Sequence, residues 1–384
     1  MAPEQKIPFW EKNGRRIFLG FLLCVLLFSW SRIQSSERKT TLLVHPVGVM
    51  GTSCTLCVTV RNCDIQTGNA LLKEAERELR RYEQFTSTWI ETSEISRLNR
   101  AKAGETLTLS PVTLAFLHEA RKAFDATHGA FDVTCGTLWM HWKACEKEGR
   151  IPSREELAEI RSAAGWDALE VDGNRVTKRS ELLCFVTGGL AKGLAIDAAL
   201  RILADDPAVC SAFVEVGGDL ATYQSTVPIE IADPLWEGSG THGELEGTGD
   251  FSGSGSAGSA GSAGSAGSAG SAGSAGSAGS RGETVGKRTL FVENGGVCTS
   301  GHHARFFEIQ GRRFSQILDP SDGWPVPDSG IVTVTAPCAA EADYWATALS
   351  ILGERGLELL PENVKAEFGA EAQAENCALV SDAR

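Results

Sequence analysis

Residues 252–280 contain only Gly, Ser and Ala, and from Ser256 the triplet Ser-Ala-Gly recurs eight times. Side chains this small cannot bury enough apolar surface to offset the entropy of ordering the chain, so the tract belongs to no core. As a free coil it reaches about 30 Å end to end. It lacks proline, which excludes a collagen-like winding. The tract follows Ile231-Ala-Asp-Pro234 and precedes the strand-like Thr289-Leu-Phe-Val-Glu293. It therefore reads as a loop inserted into one domain, not as a linker between two. Each doubling of a surface loop costs only about 0.6 kcal/mol, so such an insertion is tolerated. The rest of the chain must fold around it, as one domain expected over residues 40–370.

Hydrophobic periodicity gives that domain its class. Leu71 to Tyr82 is amphipathic, with Leu71, Leu72, Ala75 and Leu79 on one stripe. Pro111–Thr127, Leu190–Leu203 and Ala342–Leu352 read as further helices, and Ser153–Ala164 opens with a Ser-x-x-Glu capping box. Strands are expected at Cys54–Val60, Ala168–Val171, Arg175–Lys178, Ala212–Val216, Pro228–Ala232, Leu290–Val292, Arg305–Ile309 and Ile331–Thr335. Asp172-Gly-Asn174 and Gln310-Gly311 are hairpin turns. Helices and hairpins in blocks predict an α+β fold with mixed sheets and packed helices, not a doubly wound sheet.

The amino terminus points to a membrane. Ile17 to Trp30 carries no charge and follows Lys12, Arg15 and Arg16. This stretch is short against the roughly 20 residues of a comfortable span and suits a signal or anchor segment at 17–34. The basic flank keeps residues 1–16 in the cytoplasm. No clean small-x-small cleavage site follows, so the expectation is an uncleaved inner-membrane anchor with the domain outside the cytoplasm; cleavage would release it to the periplasm. Net charge is −13, from 36 basic and 49 acidic residues, and no basic stripe is present, which excludes a nucleic-acid partner. The 11 cysteines are scattered through apolar stretches and read as small hydrophobes, with one or two bridges at most.

The chemistry is concentrated in Thr335-Ala-Pro-Cys-Ala-Ala-Glu-Ala-Asp343-Tyr-Trp-Ala-Thr347. It reads as a buried strand broken at Pro337 that enters a helix. Asp343 and Thr347 are four apart and share one helix face among alanines. A hard cation with oxygen ligands is one partner for that pair. The alternative is local: the carboxylate caps backbone amides and the hydroxyl bonds back to the preceding turn. Val186-Thr-Gly188-Gly189-Leu-Ala191-Lys192-Gly193 is a strand end, a Gly-rich turn and a helix start, suited to phosphate or to an ordinary turn. Glu215-Val-Gly217-Gly218-Asp219, Thr299-Ser300-Gly301 and Phe314-Ser-Gln316-Ile-Leu-Asp319-Pro320 read as further polar loops.

In this order, with Met50-Gly51-Thr52, Thr92-Ser-Glu94-Ile-Ser-Arg97-Leu-Asn99, Gly129-Ala-Phe131-Asp132-Val-Thr134, Ile231-Ala-Asp-Pro234 and Ala342-Asp-x3-Thr347, the segments resemble the ApbE family, the FAD:protein FMN transferases. The resemblance implies a T-fold-related, flavin-binding domain that holds FAD with Mg2+ at its pyrophosphate. It implies passage of FMN to a Ser or Thr of a target flavoprotein, with release of AMP. Some members of the family resemble FAD pyrophosphatases instead. Carried over by position, Asp343, Thr347 and a backbone carbonyl near Ala191 hold the magnesium. Asp319 and Thr299, Ser300 and Gly301 border the reacting phosphate. Met50, Gly51 and Thr52, with Gly188, Lys192, Glu215 and Gly217, lie along the cofactor.

Four positions depart from the family pattern. Gln316 stands where the family has His, Cys54 where it has Tyr, Glu215 where it has Asn, and Val186 where it has an acid. An amide cannot take the proton of an incoming hydroxyl, whereas an imidazole can. His302 and His303, directly after Gly301, are candidates for that base, or else solvated loop residues. Two functions follow: an enzyme that cleaves FAD and flavinylates an exported partner, or a catalytically weak FAD-binding protein.

Overall fold

The computed structural model describes residues 38–62, 64–232, 287–301, 306–327 and 330–369. The expected membrane segment, the Gly/Ser/Ala tract, and His302 and His303 lie outside the described residues. Among the described residues no helix is long and apolar enough to cross a membrane.

In chain order, β1 (Lys39–Val44) and β2 (Cys54–Arg61) lead into α1 (Ile65–Thr86) and α2 (Glu94–Arg100). β3 (Thr106–Thr108) precedes α3 (Pro111–Ala126), α4 (Gly136–Glu148) and α5 (Arg154–Ala163). The hairpin β4 (Leu169–Asp172) and β5 (Arg175–Lys178) comes before α6 (Ala191–Ala204). Then come β6 (Val209–Val216), β7 (Asp219–Tyr223), β8 (Thr226–Ala232), β9 (Lys287–Glu293) and β10 (Gly296–Gly301). β11 (Phe306–Ile309), β12 (Arg312–Ser315), β13 (Ile331–Ala336), α7 (Ala339–Leu352) and β14 (Lys365–Phe368) complete the series.

The main sheet has the order β1-β2-β6-β7-β10-β13-β14, and every neighbouring pair is antiparallel. Inward positions of β2 and β6, among them Leu56, Val58, Val60, Ala212, Val214 and Val216, are buried. Helices α1, α6 and α7 pack on this sheet. The stripe Leu72, Ala75 and Leu79 of α1 is the buried one, as its period predicts. A second, aromatic core joins α4 and α5 to the hairpin β11–β12. Trp142 stacks on Phe307 and meets Trp324 edge-on, and its indole donates to the Gly323 carbonyl at 2.9 Å. This core fixes the loop from Ser315 to Pro320.

Ala232 and Lys287 are register partners across the β8–β9 hairpin, so residues 233–286 leave and re-enter the fold at one hairpin end. The predicted elements differ from the observed ones at several places. Thr299, Ser300 and Gly301 are not a loop: they pair with Thr333, Val332 and Ile331 as part of β10. Their polarity hid a strand whose partners lie in distant sequence. α7 begins at Ala339 and not at Ala342, because its first amides find acceptors on another helix. Ala168 falls in a short 3-10 turn before β4. α4, with Leu138, Trp142 and Cys145 inward at helical spacing, adds a helix to those expected above. The eight cysteines Cys54, Cys57, Cys135, Cys145, Cys184, Cys210, Cys298 and Cys338 are all free thiols.

Candidate active site

The contact between α6 and α7 builds the centre of the site. A Cβ on Gly193 would lie 2.6 Å from the Ala339 carbonyl oxygen and 2.6 Å from the Ala340 Cα, so only glycine allows the two helices this close. Asp197, one turn further along α6, accepts from the Ala339 and Ala340 amides at 2.8 and 2.9 Å. It caps α7 from outside, where the helix's own N-cap side chain does not. Burial raises the Asp197 pKa against these two hydrogen bonds.

With its start held in this way, α7 turns Asp343 toward α6. Asp343 is 4 % exposed. One carboxylate oxygen accepts from the Gly193 amide at 3.2 Å, and the other has no hydrogen-bond partner among the described residues. The Thr347 hydroxyl also has none. Ser350 on the same helix does bond back, to the Ala346 carbonyl at 2.9 Å. Thr347 therefore makes no back-bond, and Asp343 serves one amide near the start of α6 and none of its own helix, whose cap is Asp197. Gly189 keeps the hydroxyl accessible, since a Cβ there would stand 2.7 Å from its oxygen.

A second buried carboxylate stands nearby. Asp219, the first residue of β7, accepts from the Lys192 ammonium and from the Thr299 amide at 3.4 Å. Asp219, Cys298 and Asp343 are all buried, and each offers one ligand atom within 4.8 Å of the others. Burial, then repulsion from Asp219, pushes the Asp343 carboxyl up to about 7, with Lys192 pulling the other way. Burial opposes the Lys192 charge, but Asp219 and Asp343 outweigh it and hold the ammonium above the ordinary lysine range. Burial, with the same two carboxylates, raises the Cys298 thiol well above its usual value.

Asp343 and Thr347 open onto a cavity of about 400 Å³. Lys192, Thr299, Ser300, Gly301, Gly188 and Gln316 line it as well. Phe131, Trp139 and Trp89 supply flat apolar surface, and Trp89 is 80 % exposed. Asp132 is a further carboxylate in the wall. One of its oxygens accepts from the Thr134 amide and hydroxyl at 2.8 and 2.7 Å, and burial raises its pKa. The ensemble can take a ligand with a planar ring at one end and a polyanion at the other, with oxygen donors for a cation between.

The ApbE family model matches residues 50–261 and 278–368. The chain belongs to the ApbE family. A protein of Vibrio cholerae called FAD:protein FMN transferase is 27% identical over 331 residues, covering 83% of this chain and 85% of that one. One of Haemophilus influenzae with the same name is 23% identical, covering 91% of each. Among solved structures, the flavinyl transferase ApbE of Pseudomonas stutzeri in its apo form superposes with a TM-score of 0.63 at 24% identity, over 86% of this chain and 91% of that one. The ApbE protein of Thermotoga maritima gives 0.60 at 24% identity, over 83% and 90%. These structures carry the fold, a mixed α+β arrangement.

Within this ApbE fold the residues singled out from sequence fall into three groups. Gly188, Lys192, Thr299, Ser300, Gly301, Gln316, Asp343 and Thr347 meet in the cavity wall. Met50, Gly51, Thr52, Glu215, Gly217, Ala191 and Asp319 are not among the residues that line it. Thr52 packs on Gly217 at the neighbouring end of the sheet, and Glu215 closes that turn by accepting from the Gly218 amide at 2.9 Å. Ala191 is the first residue of α6. Asp319 accepts from the Ser321 amide at 2.8 Å and shapes the turn that presents Leu318 and Pro320. His302 lies outside the described residues. The Gln316 amide nitrogen donates to the Phe306 carbonyl at 3.3 Å, so the side chain braces β11 as well as facing the cavity. Asp219, Cys298 and Asp132 were not picked as site residues from sequence. Asp219 and Asp132 belong to the Glu215–Asp219 and Gly129–Thr134 segments, but nothing local marks Cys298.

Proposed function

We propose that this chain is an FAD:protein FMN transferase, one that cleaves the FAD pyrophosphate and attaches FMN to a Ser or Thr of a target flavoprotein with release of AMP. The observation that carries it is the pair of unpartnered oxygens, Asp343 and Thr347, opening onto a ring-walled cavity beside the amino end of α6. The names of its relatives agree with it.

The oxygen donors Asp343, Thr347 and a carbonyl near Ala191 suit a divalent cation, such as the magnesium that the family resemblance implies. Such a cation, when bound, neutralises the diphosphate and the charge that develops on the leaving AMP. The chain's own residues do the remaining work. The amino end of α6, beside Gly188 and Gly189 in the cavity wall, favours phosphate oxygens through its dipole. Lys192 holds its charge and fixes Asp219. Phe131, Trp139 and Trp89 flank the flavin ring, and the second aromatic core keeps the Ser315–Pro320 wall in place so that the acceptor meets a rigid surface. The acceptor hydroxyl must lose a proton. Gln316 cannot take it. Asp132 has an oxygen to spare and a raised pKa, which suits it to the task.

The second reading, a weak FAD-binding protein or an FAD pyrophosphatase, is favoured by Gln316 and its bond to Phe306. Incubating the full chain with FAD, Mg2+ and a Thr-containing acceptor protein separates the readings. Flavin fixed on the acceptor with AMP in solution supports transfer. Free FMN and AMP without labelled acceptor means hydrolysis, and bound, uncut FAD means storage. We further propose that residues 17–30 anchor the domain outside the cytoplasm; protease digestion of intact spheroplasts that spares the domain would reject this.

A further inference from the structure

The cation position proposed above has a neighbour that a magnesium site does not need. Cys298 lies on β10 with its sulfur facing α7, where it donates to the Ala339 carbonyl at 3.4 Å. Its sulfur and one oxygen each of Asp219 and Asp343 lie within 4.8 Å of one another. One ion can draw on all three once the side chains close by a few tenths of an ångström, since bonds of about 2.3 Å to sulfur and about 2.0–2.2 Å to oxygen span at most about 4.5 Å. Asp343, only 4 % exposed, keeps one oxygen without a hydrogen-bond partner among the described residues, which leaves it able to take an ion.

We propose that Cys298 is a metal ligand, and that the Asp219–Cys298–Asp343 cluster makes this a site for a thiophilic divalent ion of the zinc class in preference to magnesium. Charge supports the assignment. Once binding has displaced the thiol proton, two carboxylates, one thiolate and the Lys192 ammonium sum to −2, which a divalent ion cancels inside a buried site. Softness supports it too, because thiolate selects zinc-like ions while carboxylate, carbonyl and water suit magnesium. On binding, the sulfur–hydrogen bond is replaced by a sulfur–metal bond and the proton leaves to water; a bound cation deprotonates a coordinating thiol outright. Magnesium then serves the site only where softer ions are scarce.

The test uses the full chain without flavin, so its outcome is independent of the transferase reading. Adding Co2+ or Cd2+ should produce a thiolate-to-metal charge-transfer band that is lost in Cys298→Ser and in Asp343→Asn. X-ray absorption of the zinc-loaded parent should show one sulfur at about 2.3 Å, a measurement that needs no variant to fold. No band in the parent, a band that persists in Cys298→Ser, or a shell of oxygen and nitrogen only would each overturn the proposal. A band without FAD cleavage leaves it standing and removes the transferase instead. Magnesium-dependent transfer without a band removes this proposal alone.

Discussion

Asp343 is where single-residue chemistry is sharpest. Its carboxyl is pushed up to about 7 by burial and by Asp219, against an unfolded value near 3.9. A folded pKa raised in this way stabilises the protein fully below the unfolded value, and that stability is lost as pH rises through about 7. The cation-free protein should therefore lose stability between about pH 4 and pH 7, in chemical-denaturation curves taken across that window. Asp343→Asn should flatten this pH dependence, and a saturating divalent cation should flatten it too by favouring the charged carboxylate. The same substitution should weaken cation-dependent FAD binding; equal FAD affinity with and without cation in the parent would contradict the site. The proton acceptor is the second residue-scale question. If Asp132 takes the hydroxyl proton, Asp132→Asn should slow transfer by about 10²- to 10⁴-fold in single-turnover assays. Gln316→His should accelerate transfer, by adding an imidazole in the cavity wall. A parent insensitive to both changes but crippled by His302→Ala would assign the base to the 302–305 segment.

Among elements, the α6–α7 contact carries the site. Gly193→Ala forces a methyl against the Ala339 and Ala340 backbone. Backbone cannot swing aside as a side chain does, so the helices must part. The expected cost is about 1–3 kcal/mol in urea unfolding, with a parallel loss of cation affinity because Asp343 moves with α7. Loss of stability with unchanged cation affinity would show that the spacing is not what positions the ligand. Part of this was readable beforehand. Helical period exposed α1, α3, α5, α6 and most of α7, and the i,i+4 relation of Asp343 and Thr347 is local geometry. What escaped was whatever depends on a remote partner. The first turn of α7 looked unhelical because its cap is Asp197, 142 residues from the amide that it serves first. Thr299–Gly301 looked like a loop because β13, which satisfies its backbone, is a separate stretch of sequence.

At the scale of the whole molecule, the insertion leaves from Ala232 and returns at Lys287, two residues that face each other in one hairpin. Replacing 252–280 by a short Gly-Ser loop should leave Tm and FAD affinity nearly unchanged, as calorimetry and flavin-fluorescence titration would read; a large loss of either would mean that the tract packs on the domain. The sequence alone determined an α+β fold and that Asp343 and Thr347 share a helix face, and its composition predicts that the tract stays out of any core. These follow from composition and from helical period, which act over a few residues. Only the tertiary structure decided which groups meet there. Strand order brings β7 beside β10, Gly193 lets α7 descend onto α6, and so Asp219, Cys298 and Asp343 converge around Lys192. No spacing within a single segment encodes that meeting, because it is produced by sheet register and helix packing between segments far apart in the chain.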